Sequence, residues 1–101
     1  MIITATPATD GPDAFLLSGR FDAHQAERFR TAVDPSLDVD QPHIDVDLSD
    51  VEFIDSTALA EIVRVMKRCR EREGDLRLLA PSDPVRVILE LTRLDAAFTI
   101  V

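Results

Sequence analysis

The sequence predicts an α/β domain built on a mixed β-sheet, with helices mainly on one face. Strand-like and helix-like segments alternate in the order β-β-α-β-α-β-α-β. The central strand-like segment alternates apolar and polar residues, as expected of a sheet dry on one side only. Each helix-like segment carries apolar residues at three- and four-residue spacing. With 101 residues and no linker or repeat, positions 1–101 read as one domain.

Ile2 to Thr6 reads as a short first strand, with Pro7 and Asp10-Gly11-Pro12 as turn residues. Ala14 to Ser18 reads as a second strand pairing back on the first, ended by Gly19. Asp22 is placed to cap a helix over Ala23 to Val33, with Ala26, Phe29 and Val33 as its apolar stripe. Pro35 ends that helix, and Ser36 to Pro42 is a loop. His43 to Leu48 alternates: Ile44, Val46 and Leu48 face one way, and His43, Asp45 and Asp47 the other.

The second helix is expected from Ser56 to Glu73. Leu59, Ile62, Val63, Met66 and Cys69 form its dry stripe; Glu61, Arg64, Lys67, Arg68 and Glu71 form its wet face. Gly74 suits its C′ position. Leu76 to Leu79 is a further strand, and Pro81-Ser82-Asp83-Pro84 opens a third helix running to Thr92. That helix is apolar around most of its girth, through Val85, Val87, Ile88, Leu89 and Leu91. Ala97 to Val101 is a final strand or extended tail.

Composition narrows the function. The net charge of −8 repels phosphate backbones and anionic lipid, so nucleic-acid and membrane binding are not expected, and a basic-faced partner is. Cys69 is the single cysteine, which excludes an intrachain disulfide and a cysteine zinc site and suits a cytoplasmic protein. The first residues lack a basic region and a long apolar run, and no stretch approaches the ~20 apolar residues of a membrane span.

Chemistry-bearing residues are few. Asp45, Asp47, Asp50, Glu52 and Asp55 are oxygen ligands of the kind that hold Mg²⁺ or Ca²⁺. They lack EF-hand spacing, and the simpler reading is a wet face and loop of an acidic protein. Ser56 has only His24 and His43 as candidate bases and no strained G-x-S-x-G turn, so a Ser-His-Asp hydrolase is not indicated. There is no Gly-rich phosphate loop. Cys69 reads as a core residue. The expectation is a protein that is not an enzyme and needs no cofactor or metal. Asp55-Ser56-Thr57, before an apolar-periodic segment, reads on pattern alone as a helix cap.

The wider run from Val46 to Leu59, VDLSDVEFIDSTAL, resembles the signature of the STAS domain, in particular that of bacterial anti-sigma factor antagonists. There a strand leads into Asp-Leu-Ser-x-Val-x-Phe-Ile/Met-Asp-Ser-Ser/Thr-Gly-Leu and then a helix. Gly19-Arg20-Phe21-Asp22 resembles the family's Gly-x-Leu/Phe-Asp, and Gly74 to Leu78 and Pro84 to Leu94 resemble its later strand and helix. The resemblance implies a STAS-type fold and phosphorylation of Ser56 by a cognate anti-sigma factor, a serine kinase of the histidine-kinase-like ATPase class. The unphosphorylated form would bind that kinase and free a sigma factor, and a serine phosphatase would reset the cycle.

Asp22, Asp55, Ser56, Thr57, Ala58 and Leu59 then fall on the partner-binding surface, of a monomer or weak dimer. Ala58 stands where the family has Gly, which predicts a methyl on the surface a partner approaches. Arg20 stands where many relatives carry Glu. The same resemblance leaves two alternatives: a STAS subunit docking on the ATPase of a lipid-transport ABC complex, and a stressosome-type scaffold domain.

Overall fold

Three parallel strand pairs, each joined by a helix, and one antiparallel strand pair make up the described residues. The computed structural model describes residues 1–6 and 11–101. The strands are β1 (Ile2–Thr6), β2 (Asp13–Phe21), β3 (His43–Ile54), β4 (Asp75–Leu79) and β5 (Thr99–Ile100). They lie in the order β1-β2-β3-β4-β5. β1 runs antiparallel to β2, and the remaining neighbours are parallel. The helices are α1 (Ala26–Val33), α2 (Ser56–Glu71) and α3 (Asp83–Leu91). Short 3-10 turns at Asp34–Leu37 and Leu94–Ala96 complete the element list. The order is the one anticipated. Of the anticipated turn, Pro7 and Asp10 lie outside the described residues.

One core forms between one face of the sheet and all three helices. Phe15, Val46 and Leu78 are register partners across β2, β3 and β4 and face it together. Phe29 and Val33 of α1, Ile62 and Val65 of α2, and Val85 and Leu89 of α3 cover them. Phe21 and Phe29 meet in a tilted ring contact at 5.2 Å. The opposite face stays open: Leu16 is exposed there, and Asp45 lies among its neighbours. Asp45 is nonetheless buried, because Arg77 from the adjacent strand covers it with two hydrogen bonds of 2.8 and 2.7 Å. The side of the strand read as wet thus carries one buried, fully paired carboxylate.

Several boundaries differ from the sequence reading, each for a physical reason. β2 does not stop at Gly19 but runs through it to Phe21; Gly19 has φ +91°, a conformation that costs glycine little. β3 continues past Leu48 to Ile54. Leu16 pairs with Asp47 but Ser18 with Asp50, and Gly19 with Val51 but Arg20 with Phe53. Each shift inserts one extra residue on β3, a pair of bulges. They break the two-residue alternation beyond Leu48.

α1 begins at Ala26, not Ala23, and β5 spans two residues, not five. α2 ends at Glu71 with a Schellman motif: Gly74 N–H donates to Cys69 O at 2.8 Å and Glu73 N–H to Arg70 O at 3.1 Å. The left-handed residue is Glu73, φ +64°, and Gly74 occupies C″ instead of C′. Gly74 is required by proximity: a Cβ there would stand 1.8 Å from Pro42 O.

Glu61 is the main error in the expected helix faces. It is buried, not solvated, between Arg30 of α1 and Arg64 of its own helix. Val63 is only half-buried, while Val65 is wholly enclosed. On α3, Val87 and Leu91 point outward, at 55% and 79% exposure.

Candidate functional site

β2 and β3 end side by side, since Phe21 and Ile54 are register partners. Each strand is followed by an aspartate. Asp55 N–H donates to Phe21 O at 3.2 Å, which stitches the two exits together. Asp55 then takes an extended conformation, φ −110°, ψ 176°, and caps α2. Its Oδ1 accepts from Ala58 N–H at 2.9 Å, and its Oδ2 accepts from Ala23 N–H at 2.9 Å. Both carboxylate oxygens are therefore occupied by backbone donors from two different segments.

Asp22 does not cap α1. Its Oδ1 accepts from His24 N–H at 3.0 Å and its carbonyl from Gln25 N–H at 2.9 Å, forming a tight turn that delays the helix to Ala26. Asp22 and Asp55 are thereby brought to one end of the sheet beside Ser56.

Ser56 and Thr57 occupy the first two positions of α2 and are exposed. Intrahelical geometry leaves their N–H groups without helix partners, so an anion beside them is favoured by donors and dipole together. The Ser56 hydroxyl makes no hydrogen bond to a described residue. Ala58 corrects the expectation of an exposed methyl, while Leu59 is buried as its place on the dry stripe predicts. Ala58 is 0% exposed and Leu59 3%. The Ala58 methyl is enclosed in the core and not presented to an approaching partner, because this face of α2 packs against the sheet. Leu59 contributes instead to the floor of an open groove of about 590 Å³ that starts at Ser56, follows Val63 and Lys67 down α2, and is closed by Leu94.

Three of the five clustered acids are engaged by protein donors. Asp45 holds Arg77, Asp47 Oδ1 accepts from both Ser49 N–H and its hydroxyl, and Asp55 holds two backbone amides. Among the described residues, no three His, Cys, Asp or Glu side chains are grouped as metal ligands. Two features escaped the sequence reading. Phe53, 37% exposed, lies under the guanidinium of Arg20, 4.2 Å from ring centroid to Cζ. Glu61 ties α2 to α1. Only the cross-strand register, hidden by the bulges, pairs Arg20 with Phe53.

This constellation of strand, capping aspartate, exposed serine and amphipathic helix is matched by a model of the STAS domain that covers residues 5–101. The chain belongs to the STAS domain family. It is 31% identical over 86 residues to the anti-sigma-B factor antagonist of Listeria monocytogenes, covering 85% of this chain and 75% of that protein. A candidate anti-sigma factor antagonist from Thermotoga maritima has the same fold, with a TM-score of 0.83 at 30% identity, over 97% of this chain and 84% of that one. The Bacillus protein SpoIIAA in its unphosphorylated form shares the fold as well. The TM-score is 0.83 at 20% identity, over 99% of this chain and 88% of that one.

In this STAS domain the signature helix is anchored below its exposed end. Arg30's hydrogen bond, ahead of Arg64's, holds the Glu61 carboxyl below the usual range despite burial, which acts in the other direction. Arg64 reaches on to Asp34 at 2.9 Å. Cys69, deeper on the same helix, has its thiol pushed up to about 11, first by burial and then by Asp75. It is a packed core group with little thiolate at neutral pH. No helix among the described residues is long and apolar enough to cross a membrane.

Proposed function

We propose that this STAS domain is an anti-sigma factor antagonist controlled by phosphorylation of Ser56. In its unphosphorylated form it binds a kinase-type anti-sigma factor in the cytoplasm and releases the sigma factor. The observation that carries the proposal is the division of labour at the α2 N-terminus. Asp55 alone caps the helix and joins it to the β2 exit. Ser56 is exposed beside it with its hydroxyl uncommitted. The similarity to the Listeria anti-sigma-B factor antagonist supports the same reading. Ala58, where the family has Gly, lies in the core and adds nothing to the surface a partner meets.

A phosphate on Ser56 adds about −1.5 to −2 charges at pH 7. The neighbouring helix N-terminus tolerates it, so no refolding is required. SpoIIAA shows this fold in its phosphorylated form also, with a TM-score of 0.77 to this chain at 19% identity. The consequence falls on the interface. A dianion would displace packed partner atoms and lose its water, and an affinity loss of two to three orders of magnitude needs only ~3–4 kcal/mol. A serine phosphatase would reverse the step.

The test is incubation with purified histidine-kinase-like anti-sigma kinases and ATP, followed by phosphosite mapping. Phosphate is expected on Ser56 alone. Ser56→Ala should bind the kinase and resist modification, and Ser56→Glu should bind it about 100-fold more weakly. Phosphate on Thr57, or an acidic variant that binds like wild type, would sink the proposal.

A further inference from the structure

The segments flanking the β2 and β3 exits carry one charge that does not fit the rest. Segments 19–25 and 49–60 carry four acids, Asp22, Asp50, Glu52 and Asp55, and a single Lys or Arg, Arg20. Its guanidinium lies over the Phe53 ring at 4.2 Å. Its Nε is 3.9 Å from Asp22 Oδ2, an ion-pair contact too long for a hydrogen bond. The side chain is 63% exposed and makes no hydrogen bond to a described residue. Arg20 is thus held between an aromatic face and a charge, and its N–H donors make no hydrogen bond to a described residue.

That arrangement has a specific use. An arginine stacked on a ring has lost part of its rotamer freedom already, so less is lost when it engages a partner. Its planar fork matches a carboxylate, and arginine beside an aromatic is the usual composition of an interface anchor. The excess of acids in these segments favours a basic docking face on a partner. Arg20 demands the opposite at one point.

We infer that Arg20, seated on Phe53, determines partner choice by receiving an Asp or Glu side chain presented within an otherwise basic face of the anti-sigma partner. The inference rests on the reading of Ser56 given above and adds the charge pattern its partner must have. A partner with a basic residue at that point is repelled by Arg20, which excludes it while the rest of its face still complements the acids.

The experiment uses the kinase that phosphorylates Ser56 in the assay above. Its affinity is measured for wild type, Arg20→Glu, Arg20→Gln and Phe53→Ala, each checked for an unchanged melting curve. Arg20→Glu should weaken binding about 30-fold or more, Arg20→Gln about 10-fold, and Phe53→Ala less than either. One Asp→Arg or Glu→Arg substitution on the kinase should restore binding to Arg20→Glu while weakening it to wild type. If Arg20→Glu binds as well as or better than wild type, or no such substitution restores it, the inference is overturned and the Ser56 reading stands. If no kinase phosphorylates or binds wild type, both fall.

Discussion

Asp55 shows how one side chain can hold a site together while leaving its neighbour free. Its two oxygens serve amides at Ala58 and Ala23, 32 positions apart from Asp55 in the second case. Asp55→Ala should lose a helix cap and a long-range tie, about 2–3 kcal/mol by urea unfolding. Asp55→Asn keeps one acceptor and turns its amide toward a second donor, so it should lose about 1–2 kcal/mol. Ser56→Ala should change stability by less than about 0.5 kcal/mol, because the hydroxyl holds nothing. Asp55 was legible in the sequence as a cap, since an extended aspartate before an apolar-periodic run leaves little else. The link to Ala23 was not: it depends on where β2 ends, which the bulges control.

Among the elements, α2 and β3 are tuned at their ends by residues of unlike kinds. Glu73 sits at φ +64° where glycine is favoured, while Gly74 beside it sits where no Cβ fits. Glu73→Gly should therefore stabilise by about 0.5–1 kcal/mol. Gly74→Ala should destabilise by about 3 kcal/mol or more, as the Pro42 backbone must move. Thermal melts of the two variants would shift in opposite directions; equal shifts would contradict this account. A Gly near a helix end signals the stop in either case, so the sequence locates the end of α2 without telling which residue takes the left-handed turn. β3 was readable only up to Leu48. Beyond it, buried positions recur at Val51 and Ile54, every third residue, because each bulge adds one.

Across the whole molecule, α1 and α2 are joined by charge as well as by the core. Arg30 and Arg64 depress the Glu61 carboxyl, which is 11% exposed. A carboxyl that titrates lower when folded contributes fully above its unfolded value of about 4.3 and loses that contribution as pH falls through the folded one. Glu61→Gln should thus cost about 1–2 kcal/mol at pH 7 and less at pH 3. Its unfolding free energy should fall less steeply than wild type between those pH values. A difference that stays constant with pH would show that packing, not charge, is what the variant loses.

The order of elements, the single dry face of the sheet and the capping Asp55 beside Ser56 were determined by the sequence alone. Each follows from local periodicity or from a backbone conformation that few residues accept. The tertiary structure decided what local pattern cannot carry. It buried the Ala58 methyl and the Glu61 carboxylate, which depends on what lies across from each. It also laid Arg20 on Phe53, because residues 33 apart become neighbours only when two strands with unequal residue counts are paired.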